Sequence, residues 1–230
     1  MNQPAQLEHV ALFSGLTPAQ MNWVQERVYV RTFAQNVDII TAGTPGEMVF
    51  VILNGTIKVY VPQLDGRQVT VAILGPGETV GEMSLVDSAG RSASAITLEE
   101  SVLLWMNRVH FKEAIESIPR FAQNLLSILT RRLRLSTEHI QALAALDVNG
   151  RIARQLLAFA DHYGRKSDSG TITIPICLTQ SEIAELVGAS RKRVNQIMVA
   201  FKRYGWISID NEYHITILNH KALAHLSARG

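Results

Sequence analysis

Two stretches of this 230-residue chain carry side chains whose types and spacing could do chemistry. The first runs Gly81-Glu82-Met83-Ser84-Leu85 and, after a short polar excursion, Arg91-Ser92-Ala93. A glycine lets backbone N–H groups approach a ligand, a carboxylate accepts from a sugar hydroxyl, and an arginine beside a hydroxyl pairs with phosphate; together they can form a compact sugar-phosphate site. An Arg–Glu pair flanking a loop also occurs as a structural ion pair, and the residues alone leave both readings open. The second stretch lies in the last quarter of the chain. Thr179-Gln180-Ser181-Glu182 fits a capping box that opens a helix over Gln180–Val187, Gly188 supplies a turn, and Ser190 caps a second helix, Arg191–Tyr204, closed by Gly205. Val194, Ile197, Met198 and Phe201 are spaced to face the first helix, so the pair reads as a helix-turn-helix. Its second helix opens Arg191-Lys192-Arg193 and continues with Asn195 and Gln196, groups able to bond phosphates and base edges in a major groove.

Catalysis has little to work with. No histidine occurs between His9 and His110, so the strand-borne histidine cluster of a metal-dependent enzyme built on a roll is missing, and we expect neither catalytic nor metal-ligating residues. The single cysteine, Cys177, reads as a small buried hydrophobe.

The elements that must hold these residues follow from periodicity. Thr17 and Pro18 open a short helix, Thr17–Glu26. Strand signals then dominate: Val28–Phe33, Met48–Asn54, Thr56–Val61, Gln68–Leu74, Ser92–Leu98 and Ser101–Asn107 are rich in β-branched residues and separated by glycine-bearing turns. Many short strands without intervening helices predict an antiparallel barrel or double-sheet roll. A short helix, Arg108–Ser117, leads into a long one, Pro119–Leu146, of about 28 residues and roughly 42 Å. Ala122, Leu126, Leu129, Leu133, Ser136, Ile140 and Leu143 fall three and four apart along it, a seam of about three heptads that suits the same helix of a second copy. Ser136 and Thr137 interrupt the seam, either fixing its register or facing a ligand. Asp147 caps the next helix, Val148–His162, after which come strand-like runs at Thr171–Ile174 and Ile176–Leu178 and a strand pair, Trp206–Ile209 and Tyr213–Ile217, around Asp210-Asn211. The fold class is thus α+β, in three parts: a roll over 1–118, a dimerisation helix over 119–146 and a winged helix-turn-helix over 147–230.

The composition is that of a folded chain, 47% hydrophobic with a net charge of +2. No run of 18 apolar residues and no secretory leader is read, so a soluble, cytoplasmic protein without membrane association is expected. The charge is divided unevenly: residues 1–147 hold 11 basic and 14 acidic side chains, residues 148–230 hold 11 and 6. A basic C-terminal part is what a phosphate-backbone binder needs.

A roll with Gly81-Glu82…Arg91-Ser92, then a long helix, then Leu146-Asp147-Val148-Asn149-Gly150-Arg151-Ile152-Ala153 and a winged helix-turn-helix resembles, over nearly the whole chain, the catabolite activator (cyclic-AMP receptor, CRP/FNR) family of bacterial transcription regulators. The resemblance implies a cyclic-nucleotide-binding jelly roll and a homodimer that binds a palindromic operator in double-stranded DNA under cyclic AMP control, and that touches RNA polymerase if it activates. It also implies that Glu82 binds the ribose 2′-hydroxyl, that Arg91 and Ser92 bind the cyclic phosphate, and that a hydroxyl pair on the long helix meets the adenine. The family's Thr-Ser order is inverted here as Ser136-Thr137. The expected effector set is Gly81, Glu82, Met83, Ser84, Arg91, Ser92, Arg132, Ser136 and Thr137. The expected DNA-binding set is Asn149, Thr179, Gln180, Ser181, Ser190, Arg191, Lys192, Arg193, Asn195 and Gln196. The family's best-known member reads Arg-Glu-Thr-Val-Gly-Arg where this chain has Arg191-Lys192-Arg193-Val194-Asn195-Gln196, so a different operator is expected. The same architecture answering a cyclic dinucleotide or haem, or standing active without ligand, is the alternative. The N-terminal cysteine cluster of the oxygen-sensing branch does not occur, and His139, one turn from Ser136, reads as a surface histidine on a helix rather than as the axial ligand a haem reading would need.

Overall fold

The computed structural model describes Leu7 and residues 10–87, 89–168 and 170–228. The chain forms two compact units, Met1–Leu133 and Arg134–Gly230, and the division falls inside the long helix.

In the first unit, eight strands make two four-stranded antiparallel sheets. One has the order β1 (Tyr29–Phe33), β8 (Ser101–Asn107), β3 (Met48–Asn54), β6 (Thr79–Val80); the other has β2 (Asp38–Ile40), β7 (Ser94–Thr97), β4 (Ile57–Pro62), β5 (Gln68–Leu74). This is the double-sheet roll expected, with two short strands, β2 and β6, that sequence did not reveal. Strand β3 has an almost unbroken apolar run because it is buried on both faces. Phe50 and Ile52 join Ile40, Ile57, Leu74, Val80, Ala95 and Leu103 inside the roll, while Val49 and Val51 join a cluster shared with helices. Strand β8 does the same in register, Leu103 opposite Ile52 and Leu104 opposite Val51.

The helices of this unit are α1 (Pro18–Gln25), α2 (Met83–Val86), α3 (Arg108–Ser117) and the start of α4 (Pro119–Ala145). Thr17 and Gln20 form the capping box of α1, and the Asn107 side chain accepts from the His110 amide at the start of α3. Phe121, Leu125 and Ile128 bury one face of α4 against Phe13, Phe111 and Val49, with the Phe111 and Phe121 rings edge to face at 5.5 Å. A second apolar row along α4 stays exposed: Leu126 64%, Leu133 69%, Ile140 66% and Leu143 44%. Leu129 departs from the expected seam, since it packs partly against the core of its own unit.

The second unit holds the rest of α4, then α5 (Val148–Tyr163), β9 (Arg165–Lys166), β10 (Ile172–Ile174), α6 (Gln180–Val187), α7 (Arg191–Arg203), β11 (Ile207–Ile209), β12 (Ile215–Ile217) and α8 (His220–Ser227). The Asp147 side chain accepts from the Gly150 amide at 2.8 Å, capping α5 as its sequence position predicts. Four strands form an antiparallel sheet in the order β11-β12-β10-β9. Two expectations are corrected here. Ile176–Leu178 is not a strand; all three residues are buried, and the Leu178 amide donates to Tyr213 O outside any ladder. The strand that pairs with β10 besides β12 is instead Arg165–Lys166, for which no strand was expected because the segment is short and polar. No helix of the described residues is long and apolar enough to cross a membrane.

Candidate functional site

Strand β6 ends at Val80, and Gly81 follows with φ +90. A Cβ there would lie 2.6 Å from Arg91 Nη1 and 2.8 Å from Ile40 Cδ1, so glycine is required by both backbone and space. The turn delivers Glu82 to the start of α2, where its carbonyl accepts the first helical amides, Leu85 at 3.0 Å and Val86 at 3.1 Å. Arg91 is fixed from the other side, its amide donating to Thr44 O at 2.9 Å and its carbonyl accepting from Gly43 N at 2.8 Å.

Two buried side chains then meet the space around Gly81. Arg91, 8% exposed, donates from Nη1 to Gly81 O and to Ser84 Oγ and from Nη2 to Met48 O. No carboxylate of the described residues is paired with it at ion-pair distance, and burial pulls its pKa below the usual guanidinium value, opposed by the fields of Glu82 and Glu47. A cation held only by neutral oxygens leaves its charge unmatched, which suits it to an anion. Glu82 is 2% exposed; its Oε1 accepts from Arg132 Nη1 at 2.6 Å, while its Oε2 is buried with no hydrogen-bond partner. A buried carboxylate oxygen without a donor asks for a hydroxyl.

Arg132, on α4, is shared. Its Nη2 donates to Glu78 Oε2 at 3.0 Å, to Thr79 O and, weakly, to Thr79 Oγ1 at 3.4 Å. Burial works against its charge, but the Glu82 and Glu78 carboxylates outweigh that and hold its pKa above the ordinary value. Glu78, 4% exposed, also accepts from Arg131 through Oε1. Sequence reasoning did not single out Glu78. The signal that could have found it is the adjacent pair Arg131-Arg132 on a helix whose apolar stripes leave them little water.

The remaining expected effector residues are placed differently. Ser84 is buried and accepts from Arg91 at 2.8 Å. Met83 is 53% exposed, and Ser92, beside Arg91, is exposed as well. Ser136 and Thr137 are exposed on the part of α4 that belongs to the second unit. His139 is half-buried, and burial together with the charge of Arg151 lowers its pKa.

In the second unit, helices α6 and α7 form the helix-turn-helix. Thr179 and Ser190 accept from the amides of Glu182 and Arg193, as caps should. The reciprocal half of the Thr179 capping box does not form: Glu182 Oε2 is buried without a partner. Gly188 takes the left-handed conformation, φ 62 and ψ 50, that turns one helix into the next. Arg151 pins this turn to the end of α4, donating from Nε to Val187 O at 2.8 Å and from Nη1 to Leu146 O at 2.9 Å. Val194, Ile197, Met198 and Phe201 are buried, which turns Arg191, Lys192, Arg193, Asn195 and Gln196 outward. The Gln180 amide donates to Asn195 Oδ1 at 3.0 Å, so these two candidates are joined across the helices. Ser181 is half-buried beside them, and Asn149 is half-buried with its amide on Asp147 Oδ2 at 2.9 Å.

Comparison with known proteins bears directly on both units. Residues 30–117 match the cyclic nucleotide-binding domain family, and residues 150–226 match the Crp-like helix-turn-helix domain family. Over 206 residues the chain is 32% identical to the CRP-like cAMP-activated global transcriptional regulator of Mycobacterium tuberculosis, covering 90% of this chain and 92% of that protein. The chain belongs to the CRP/FNR family of transcription regulators. At the level of fold it also resembles FixK2 of Bradyrhizobium japonicum, at 19% identity with a TM-score of 0.76 over 88% of this chain and 98% of that one. A further likeness is to the c-di-GMP responsive regulator CLP of Xanthomonas campestris, at 20% identity with a TM-score of 0.67 over 87% and 99%. A cyclic nucleotide fits the groups of the CRP/FNR roll: Arg91 offers the unmatched cation and Glu82 Oε2 the unmatched acceptor, with the side-chain-free Gly81 next to both.

Proposed function

We propose that this CRP/FNR regulator is a homodimer whose operator affinity is set by a cyclic nucleotide, cyclic AMP, held by the β6–α2 turn and Arg91. The observation that carries the reading is the pair of unmatched buried groups next to Gly81, a guanidinium lacking a carboxylate and a carboxylate oxygen lacking a donor. Phosphate is a stronger acceptor than the carbonyl oxygens now facing Arg91, and a ribose 2′-hydroxyl supplies the donor Glu82 lacks. The exposed stripe Leu126, Leu133, Ile140 and Leu143 supports pairing of α4 with its copy, because apolar residues at that spacing lose water only against another helix. The outward row Arg191–Gln196 supports major-groove reading, with two copies addressing half-sites roughly 34 Å apart. On this reading the effector domain spans 1–118, the dimer helix 119–146 and the DNA-binding domain 147–230.

The route from effector to DNA runs along α4, the one element that enters both units. Ser136 and Thr137 are its candidate reporters of the base, by resemblance to the family. Calorimetric titration with cyclic AMP, combined with operator binding with and without the nucleotide at fixed salt, tests the reading. Heat of binding and a tighter operator complex are expected. Replacing Ser136 and Thr137 together by alanine should preserve nucleotide binding and shrink the ratio of the two operator affinities; an unchanged ratio removes this pair from the route.

A further inference from the structure

We infer that Glu78 is a positioning residue for the nucleotide site: by claiming one arm of the Arg132 fork, it keeps Glu82 Oε2 free to accept from the ligand's 2′-hydroxyl. The inference rests on the functional reading above.

An arginine facing a lone carboxylate normally engages it with two parallel N–H···O bonds, the strongest arrangement available to the pair. Arg132 does not. Only Nη1 reaches Glu82, at 2.6 Å, and it reaches Oε1 alone. Nη2 is turned away, donating to Glu78 Oε2 at 3.0 Å and to the carbonyl and hydroxyl of Thr79. Two groups of this pair stay buried without a partner, Glu82 Oε2 and Arg132 Nε, so the fork edge formed by Nη1 and Nη2 is not closed on Glu82. Glu78 is itself held. It sits in the tight turn Gly75–Glu78, its carbonyl accepts from the Ile52 amide at 2.9 Å, and Arg131 bonds its other oxygen. It therefore cannot follow Arg132 toward Glu82. Two carboxylates and two guanidiniums balance in charge, and their order in space, Arg131–Glu78–Arg132–Glu82, places the unfilled acceptor at the end next to Gly81 and Arg91.

Removing the charge of Glu78 leaves Arg132 free to swing Nη2 onto Glu82 and close the two-bond pair, which fills Oε2 from within the protein. The ligand's phosphate contact at Arg91 is untouched, so the loss falls on the hydroxyl alone. The readout is the ratio of affinities for cyclic AMP and 2′-deoxy cyclic AMP, measured calorimetrically on the full chain. A hydroxyl bonded to a buried carboxylate gives the wild type a preference of roughly ten- to hundredfold for cyclic AMP. Glu78→Gln should bring this ratio to within about threefold of unity. Arg131→Gln also breaks the Arg131–Glu78 bridge but leaves Glu78 on Arg132, so it should keep the wild-type ratio. General loosening of the network moves both variants alike and leaves the ratio standing, since both ligands then weaken together. A Glu78→Gln protein with wild-type preference, or an Arg131→Gln protein that loses it equally, overturns the inference. Should Glu78→Gln fail to fold, Glu78→Asp takes its place: the shorter chain draws the charge back from Nη2, and an undiminished ratio overturns the inference equally. Failure of the wild type to bind either nucleotide overturns the functional reading instead, and this inference with it.

Discussion

Arg132 and Arg193 are both helix-borne arginines, yet the first keeps 24% of its side chain exposed and divides its donors among Glu82, Glu78 and Thr79, whereas the second stands exposed in the first turn of α7. Around Gly81 the carboxylates and Arg91 are buried and the charges nearly matched in number, so what remains unmatched there is specific: the Arg91 guanidinium and one oxygen of Glu82. On α7 the charges share one sign and face solvent. On the proposed reading the first arrangement would recognise a small molecule through individual bonds, and salt would barely screen it. The second attracts a polyanion collectively, and its strength depends on the ions it displaces.

The largest expected effect breaks the buried side of that contrast. Arg91→Leu removes the cation offered to the phosphate, and the absence of a buried charge-assisted bond should weaken cyclic AMP binding about 30- to 150-fold or more. Undiminished heat in calorimetric titration of the variant would detach Arg91 from the ligand. Operator binding by the variant without nucleotide should match the wild type, because Arg91 is in the other unit.

Next in size is assembly. Leu129 is a poor probe, since it packs into its own unit and its replacement would disturb folding. Leu126 and Leu133 are exposed on the outer stripe, so replacing both by glutamate leaves each chain's core intact while setting like charges against each other across a paired α4. Light scattering should then report a monomer. A variant that stays dimeric would mean that α4 is not the interface.

Salt sharpens the comparison further. Between about 50 and 200 mM salt the operator affinity of a protein that neutralises roughly six to ten phosphates falls about 10³- to 10⁵-fold, while cyclic AMP affinity should change by only a fewfold. Lys192→Ala should lower the salt slope by roughly 1 for each phosphate it ceases to neutralise and leave nucleotide binding unaltered. Equal salt slopes for both ligands would erase the distinction drawn between the two regions.

Which parts of this molecule sequence revealed follows from the range over which each is determined. Thr17, Asp147, Thr179 and Ser190 act within their own next turn, and each caps the helix it was expected to cap. Strands β3 and β8 declare themselves because both faces are apolar. Strands β2 and β6 have three and two residues, and pairing partners rather than local pattern make them strands. Ile176–Leu178 misled for the same reason in reverse: its burial is real, but no ladder reaches it. Glu78 reads locally as a turn residue after Gly75-Pro76-Gly77. Its meaning comes from arginines 53 and 54 positions later, and only the packing of α4 on the roll brings them together.

The smallest expected effect concerns Asp147, which starts α5 at the join between the long helix and the DNA-binding helices. Its pKa is held below the ordinary carboxylate value, chiefly by the Gly150 amide and then by the Asn149 side chain. A depressed folded-state pKa means that the ionised cap contributes stability above the unfolded value of about 3.9 and that the contribution is lost as pH falls through the lower folded-state value. Asp147→Ala removes the acceptor and should cost about 1 kcal/mol at neutral pH. Asp147→Asn keeps an acceptor for Gly150 but not the charge. It should cost less at neutral pH and lose the acid-side dependence that Asp147 contributes. Hydrogen exchange at the amides of Gly150 and Arg151 reads this locally: protection should fall with acidification in the wild type, once intrinsic exchange rates are accounted for, and stay level in Asp147→Asn. A variant whose protection falls just as the wild type's does would assign the acid response of this join to another group, with His139 beside Arg151 the next to test.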